Sequence, residues 1–321
     1  MHISVIQDVE HILSGLGHTL DRHSLSGHNW VDGSAKSSLK VVNSRNWTQI
    51  DSSLVAKFYK RHKSDFEGYD AFVHSYPPAF AMLFEPFEKP VITVTCTRFD
   101  FPAFPKNYQW LVQGLRRMAS SGQLTLTANN RLDQMYNERF LGIETQYISS
   151  LCDYMEQKTE TRKKEFLCWS RYHPIPPVKG IDQNFTIKQK YDRNSIRESA
   201  GVVHLPYNLS IMSAFEHYWQ NIPMYFPSID FQKELLKSPH GALEEVLFEK
   251  SALYFDESMI ELADWYDDEN FSGVRLFDSW KHLSEMLETD DLSAIEHTMA
   301  MNNLERKSQI YNAWQKLLAK I

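Results

Sequence analysis

Three observations predict an α/β fold of two doubly wound parallel-sheet domains facing a cleft. Short apolar or β-branched runs alternate with segments of helical apolar spacing. The alternation occurs on both sides of a charged stretch at residues 153–164 (DYMEQKTETRKK). The chain, at 321 residues, has the length of two ordinary domains. Strands separated by helices pair in parallel through crossovers. The expected organisation is therefore one domain over residues 1–152, a linker over 153–164 and a second domain over 165–321.

In the first half, residues 2–7 (HISVIQ) read as a strand. Asp8 then caps a helix in which Val9, Ile12, Leu13, Leu16 and Leu20 keep helical spacing. A second strand is expected at 39–42 and a helix at 54–66. The strand at 70–74 ends on His74, and the prolines at 77 and 78 stop it. PVITVT at 90–95 is apolar and β-branched throughout, the pattern of a central parallel strand. A helix at 107–119, a strand at 124–128, a helix at 131–141 and a strand at 145–149 complete the half.

The second half opens with a strand at 165–169, followed by a Pro-rich loop at 173–180. A strand at 185–188, a helix at 194–199 and a strand at 201–205 come next. A helix at 210–220 and a strand at 224–226 follow, then an element at 231–237. Residues 264–271 form an aromatic acidic loop, and 279–287 a helix. Residues 292–321 carry a long helical signal, with Ile310, Trp314, Leu317, Leu318 and Ile321 as its stripe.

The composition is globular, with 42% hydrophobic and 13% aromatic residues. A net charge of −7 argues against nucleic acid as the main partner. Cys96, Cys152 and Cys168 are far apart and odd in number, so reduced thiols and a cytoplasmic protein are expected. No run of 18 apolar residues and no cationic leader is visible, so no membrane span is expected. The sequence contains no G-x-x-x-x-G-K-[ST] and no G-x-S-x-G. It has no G-x-G-x-x-G after a strand and no D-x-D after a strand. Neither a nicotinamide or flavin cofactor nor a catalytic metal is expected.

Residues 204–228 (HLPYNLSIMSAFEHYWQNIPMYFPS) carry the most information. They read as a buried strand, a polar turn, a helix opening on Ser210, and a strand ending at a proline. A helix start offers unpaired N–H groups and a positive dipole end, a natural seat for phosphate. Glu216, about two turns on, is placed to accept hydrogen bonds from sugar hydroxyls. The same apolar spacing (Ile211, Phe215, Tyr218, Trp219) also belongs to any amphipathic helix packed on a sheet. Ligands of open parallel sheets sit beyond the carboxyl ends of the strands. That rule selects Asp8, His74, Asp100 and the pair Asn129-Asn130 in the first half, and Arg171, Tyr207 and Asn208 in the second. For a proton acceptor, Asp100 and His74 compete, with Asp8 behind them. Arg98 beside Asp100 is expected to lower its pKa. Histidine titrates near neutral pH. Arg171 and Lys179 are the cations expected to meet phosphate.

The segment is similar to the donor-binding motif of GT-B glycosyltransferases, enzymes with two Rossmann-like domains. Their pattern is P-S-x-x-E, a short turn, then E-A-x-A-x-G-x-P, and Glu216 to Pro223 matches the second half. The resemblance implies that Glu216 binds the ribose hydroxyls of a nucleotide. It places Ser210 and Ile211 where backbone amides meet the diphosphate. The family's first Glu falls on Asn208, a departure at the sugar-contacting position. Ser-Arg at 170–171 stands where the family has Gly-Arg, His74 resembles a strand-end His of the family's first domain, and the end of the chain resembles a helix that returns to that domain. Trp169 and Trp219 flank the donor region. The implied activity is metal-independent transfer of a sugar from a nucleoside-diphosphate sugar to a glycan or small-molecule acceptor hydroxyl, without a resident cofactor. Two alternatives stay open: a sugar-nucleotide epimerase of the same fold, and a non-catalytic nucleotide- or sugar-binding module. A DNA-modifying glucosyltransferase shares the fold, but the acidic balance counts against it.

Overall fold

The computed structural model describes residues 3–23, 39–43, 45–100, 107–157, 165–170, 185–186, 193–237 and 257–321. It divides into two compact units. One comprises Met1–Ser150 with Tyr311–Ile321, the other Leu151–Ile310.

The first unit is built on a four-stranded, all-parallel sheet in the order β1 (Phe72–His74), β2 (Val91–Thr95), β3 (Leu124–Ala128), β4 (Thr145–Tyr147). Every residue of β2 is buried, as its unbroken β-branched sequence requires of a strand covered on both faces. The helices are α1 (Ile3–Gly15), α2 (Ser52–His62), α3 (Ala81–Phe84), α4 (Tyr108–Ser120) and α5 (Arg131–Tyr136). Asp51 Oδ1 caps α2 by accepting from the Leu54 amide at 2.8 Å. A π-turn, Asn137–Leu141, extends α5 and closes on Gly142 at φ 69°. Phe58, Phe66, Phe72 and Phe84 join the core between α2, α3 and the sheet, with Phe72 stacked on Phe84 at 4.6 Å.

Two expectations fail in this unit. Residues 3–7 are helical, not extended, because α1 already runs from Ile3. Val5, Val9, Ile12 and Leu13 are its buried apolar residues, and their spacing is helical from the start. The β-branched Ile3, Val5 and Ile6 suggested a strand, but tertiary packing overrides that preference. Residues 39–42 form no strand either. Val41 adopts φ 79°, and the Lys40 amide donates to His62 Nε2 at 3.2 Å, so the segment docks through a side chain and not a ladder.

The second unit carries a five-stranded, all-parallel sheet in the order β6 (Phe185–Thr186), β5 (Phe166–Ser170), β7 (Gly201–Leu205), β8 (Met224–Pro227), β9 (Arg275–Phe277). The helices α6 (Arg193–Glu198), α7 (Met212–Trp219) and α8 (Ile229–Lys237) separate its strands. The strand β9 escapes the sequence reading because two of its three residues are exposed, which leaves no apolar run to find. A helix at Trp280–Thr289 is capped by Ser279, whose Oγ accepts from the His282 amide at 3.1 Å.

The terminal helix Leu292–Leu318 buries Ile295, Met299, Asn303 and Arg306, then Ile310, Trp314 and Leu317, at spacings of three or four. Its last turns fall in the first unit, which includes Tyr311–Ile321, as the resemblance implied for the end of the chain. Two Rossmann-like units with parallel sheets are thus the architecture of the chain. Residues 153–157 belong to the second unit, and the rest of the expected linker lies outside the described residues.

Candidate functional site

In the second unit β7, a turn and α7 form one continuous element. His204 and Leu205 end the strand, residues 206–211 make the turn, and Ile211 is the N-cap of α7 with extended backbone (φ −134°, ψ 110°). Ile211 itself, an apolar residue, makes no side-chain capping bond. Asn208 shapes the approach: its Oδ1 accepts from the Ser210 amide at 3.2 Å, an Asx turn. The Ser210 amide is therefore engaged, and the helix start itself remains the electropositive feature. Tyr207 is half-buried in the turn and Ile211 is buried.

Glu216 lies on α7 five residues past Ile211 and is half-buried. Its Oε1 accepts from the Tyr154 hydroxyl at 2.5 Å. Tyr154 belongs to a segment laid along the carboxyl end of α7. Trp219 Nε1 donates to the Met155 carbonyl at 3.0 Å, and Gln220 Nε2 to the Glu156 carbonyl at 2.8 Å. Gln157 Nε2 donates to the Trp219 carbonyl, and Asn221 Nδ2 to Gln157 Oε1, both at 3.0 Å. Lys307 sits 5.6 Å from the Trp219 ring centroid and pairs with Asp153 at 2.9 Å. Arg171, Lys179 and the Trp169 side chain lie outside the described residues.

Beneath the element, His217 of α7 meets His204 of β7, Nδ1 to Nε2, at 3.3 Å. His204 stacks on Phe226 at 4.5 Å, and Phe226 on Trp265 at 4.6 Å. Desolvation holds both imidazoles neutral, His217 down to about 4 and His204 well below its ordinary value.

In the first unit polar side chains gather past the carboxyl ends of the strands. His74 closes β1. Its Nδ1 faces the Ser75 carbonyl at 3.2 Å, so Nδ1 carries the proton, and its Nε2 accepts from the Thr93 hydroxyl at 2.7 Å. Burial pushes its pKa down to about 4. His74 and the buried Ser75 line a cavity of about 90 Å³, together with Val5, Val9, Arg22 and Val94.

Past β2, Asp100 is buried. Its Oδ2 accepts from the Tyr136 hydroxyl at 2.9 Å, and among the described residues its Oδ1 has no hydrogen-bond partner. Burial raises its pKa to about 6, against the lowering hydrogen bond from Tyr136 and the charge of Arg98. Arg98 does act to lower it, as expected, but desolvation outweighs that charge and the net shift is upward, while Arg98 pairs with Asp133 at 3.4 Å. Past β3, Asn130 Oδ1 accepts from the Asp133 amide at 2.7 Å and caps α5. Asn130 Nδ2 donates to Asp133 Oδ2 at 2.7 Å, and Asn129 Nδ2 to Ser150 Oγ at 3.2 Å.

The strand-end rule thus brings Asp100, Asn129 and Asn130 into one buried polar region, with His74 at the end of β1. Asp8 does not follow a strand. It lies inside α1, 2% exposed, and is not the cap of that helix, because the helix begins upstream of it. Tyr136 and Tyr154 escape the sequence reading, since each meets its carboxylate across dozens of residues. Among the described residues no group of three His, Cys, Asp or Glu side chains is placed to hold a metal ion. No described helix is long and apolar enough to cross a membrane.

No family model matches the chain, and no curated protein does. Solved structures do match. One is the glycotransferase of kitacinnamycin, at 10% identity and a TM-score of 0.42, covering 89% of this chain and 85% of that one. Another is CalG4, the calicheamicin glycosyltransferase, at 8% identity and a TM-score of 0.38, covering 94% of this chain and 85% of that one.

Proposed function

We propose that the chain is a glycosyltransferase that moves a sugar from a nucleoside-diphosphate sugar to an acceptor hydroxyl without a metal. The observation that carries the reading is the β7–turn–α7 element: a helix whose N-cap residue, Ile211, makes no side-chain capping bond, and a half-buried carboxylate further along the same helix. A helix start takes the diphosphate through its amides and dipole. Glu216 takes the pentose hydroxyls as hydrogen-bond acceptor. Ser210, Tyr207 and Asn208 set the turn, and Ile211 begins the helix. Arg171 and Lys179 complete this reading as the cations that neutralise the leaving diphosphate.

Sugar transfer needs a base for the acceptor hydroxyl. In this reading Asp100 removes that proton, the freed oxygen bonds to the anomeric carbon, and the bond from that carbon to the diphosphate oxygen breaks. Asp100 suits the role better than His74, because among the described residues no other side chain bonds its Oδ1 and its pKa lies near 6, whereas both nitrogens of His74 are occupied. Asp8, inside α1, has no part in it. The acceptor is a glycan or a small hydroxyl-bearing molecule, and the protein acts in the cytoplasm with no cofactor of its own.

A thermal-shift panel of nucleoside diphosphates and nucleotide sugars tests the reading, since a ligand that binds only the folded chain raises the melting point. At least one is expected to do so. Glu216→Ala should then weaken donor binding by one to two orders of magnitude, about 1.5–3 kcal/mol. Unchanged affinity in the folded variant refutes the assignment. Asn208 at the family's first Glu favours a second reading, a binding module without turnover, which tight nucleotide binding with no transfer to any acceptor would establish. An epimer formed without acceptor would instead mark an epimerase.

A further inference from the structure

We infer that Tyr154 is a positioning residue for the nucleotide's pentose: it holds the Glu216 carboxylate in the orientation that receives the ribose hydroxyls. The inference rests on the donor reading above and goes beyond it, because it assigns a function to a segment outside the strand–turn–helix element.

The geometry is specific. Glutamate has three rotatable side-chain bonds, and a half-buried one with no partner samples several orientations. Here the Tyr154 hydroxyl donates to Oε1 at 2.5 Å, a charge-assisted contact at the short end of the range. That bond occupies one oxygen and leaves Oε2 as the acceptor for a ligand. Tyr154 is itself fixed, because the residues after it are anchored at four points to the last residue of α7 and the two residues that follow it. These are Trp219 to Met155, Gln220 to Glu156, Gln157 to Trp219 and Asn221 to Gln157. Arg197 Nη1 adds a fifth anchor on Glu156 Oε2 at 2.6 Å. A carboxylate held through a rigid donor is pre-organised, and pre-organisation lowers the entropy that binding must offset.

The tyrosine never touches the ligand in this scheme, so its effect must run through Glu216 and must depend on the pentose hydroxyls. Binding of a nucleoside diphosphate, its 2′,3′-dideoxy analogue and inorganic pyrophosphate is measured by calorimetry on the full chain, in the wild type, Tyr154→Phe, Glu216→Gln and the double variant. The nucleoside diphosphate is whichever stabilises the wild type most. Tyr154→Phe is expected to weaken the nucleoside diphosphate about tenfold, as for one charge-assisted hydrogen bond. It should leave the dideoxy analogue and pyrophosphate within about twofold of wild type. The double variant should be no weaker than Glu216→Gln alone, since residues acting through one another are not additive. Pyrophosphate affinity also serves as the control for folding.

Equal losses for all three ligands would show a general structural role and overturn the inference. So would a full additive loss in the double variant, or an unaffected Tyr154→Phe. A wild type that binds no nucleoside diphosphate overturns the donor reading itself, and the inference with it.

Discussion

Asp100 and Tyr136 show how one residue's chemistry is set by its surroundings. Desolvation raises the Asp100 pKa to about 6, and the Tyr136 hydroxyl bond opposes the rise. As the proposed base it must be ionised, so the transfer rate is expected to climb with pH through about 6 and level off above it. Tyr136→Phe removes a bond that favours the carboxylate, and the climb should shift to higher pH. Asp100→Asn should lower the rate at least a hundredfold, the usual contribution of a positioned base. A pH–rate profile checks all three, and an unmoved midpoint in Tyr136→Phe would show that Asp100 is not the titrating group. Sequence reasoning proposes Asp100 from its place after a strong strand. It misjudged the pKa because the neighbouring Arg98 is visible in sequence, whereas burial and the pairing of Arg98 with Asp133 are not.

At the scale of elements, β7 depends on a close approach that only glycine permits. A Cβ at Gly201 would lie 2.7 Å from the Pro223 carbonyl oxygen and 3.1 Å from the Phe166 ring. The carbonyl is backbone and accepts the Val202 amide at 2.8 Å, so it cannot swing aside without loss of that bond. Gly201→Ala is therefore expected to destabilise the second unit by about 1–3 kcal/mol, the range for overpacking. Chemical denaturation followed by the tryptophans would measure it. The boundaries of β7, α7 and β8 were legible because the run GVVHL, the polar turn and the Asn-Ile-Pro stop are all local signals. The first residues of α1, 3–7, read as a strand from sequence, since β-branched residues there satisfy both patterns and only packing chooses between them. The second expected strand, at 39–42, fails for a different reason: Val41 adopts φ 79° and the Lys40 amide bonds to the His62 side chain, not to a neighbouring strand.

Across the whole molecule, acid stability follows from buried imidazoles. His74, His204 and His217 are all driven below their ordinary pKa by desolvation, so they are neutral in the folded chain and protonate near 6.5 when it unfolds. The unfolded state thus binds more protons, and stability is complete above about pH 6.5 and falls as pH drops toward 4. Asp100 and Asp133, raised by burial, act in the opposite sense: their contribution is complete below the usual carboxylate pKa and is lost as pH rises through their folded values. With four lowered histidines, His23 included, against two raised carboxylates, net loss of stability is expected between pH 7 and 5. His217→Asn should shrink that loss by ~2 kcal/mol, its own share over this interval. Denaturation midpoints at the two pH values measure it, and an identical loss in the variant would show that His217 does not titrate on unfolding.

Local chemistry alone wrote much of this protein into its residue order. Periodicity, β-branching, prolines and capping residues act within a few positions, and they suffice for two parallel α/β units and for the strand–turn–helix that carries Glu216. Tertiary structure decided which side chains meet. The hydroxyl of Tyr136 reaches Asp100 across 36 positions, and that of Tyr154 reaches Glu216 across 62. A hydrogen bond acts over about 3 Å of space whatever the separation along the chain, so no pattern of neighbours in sequence could announce either pair.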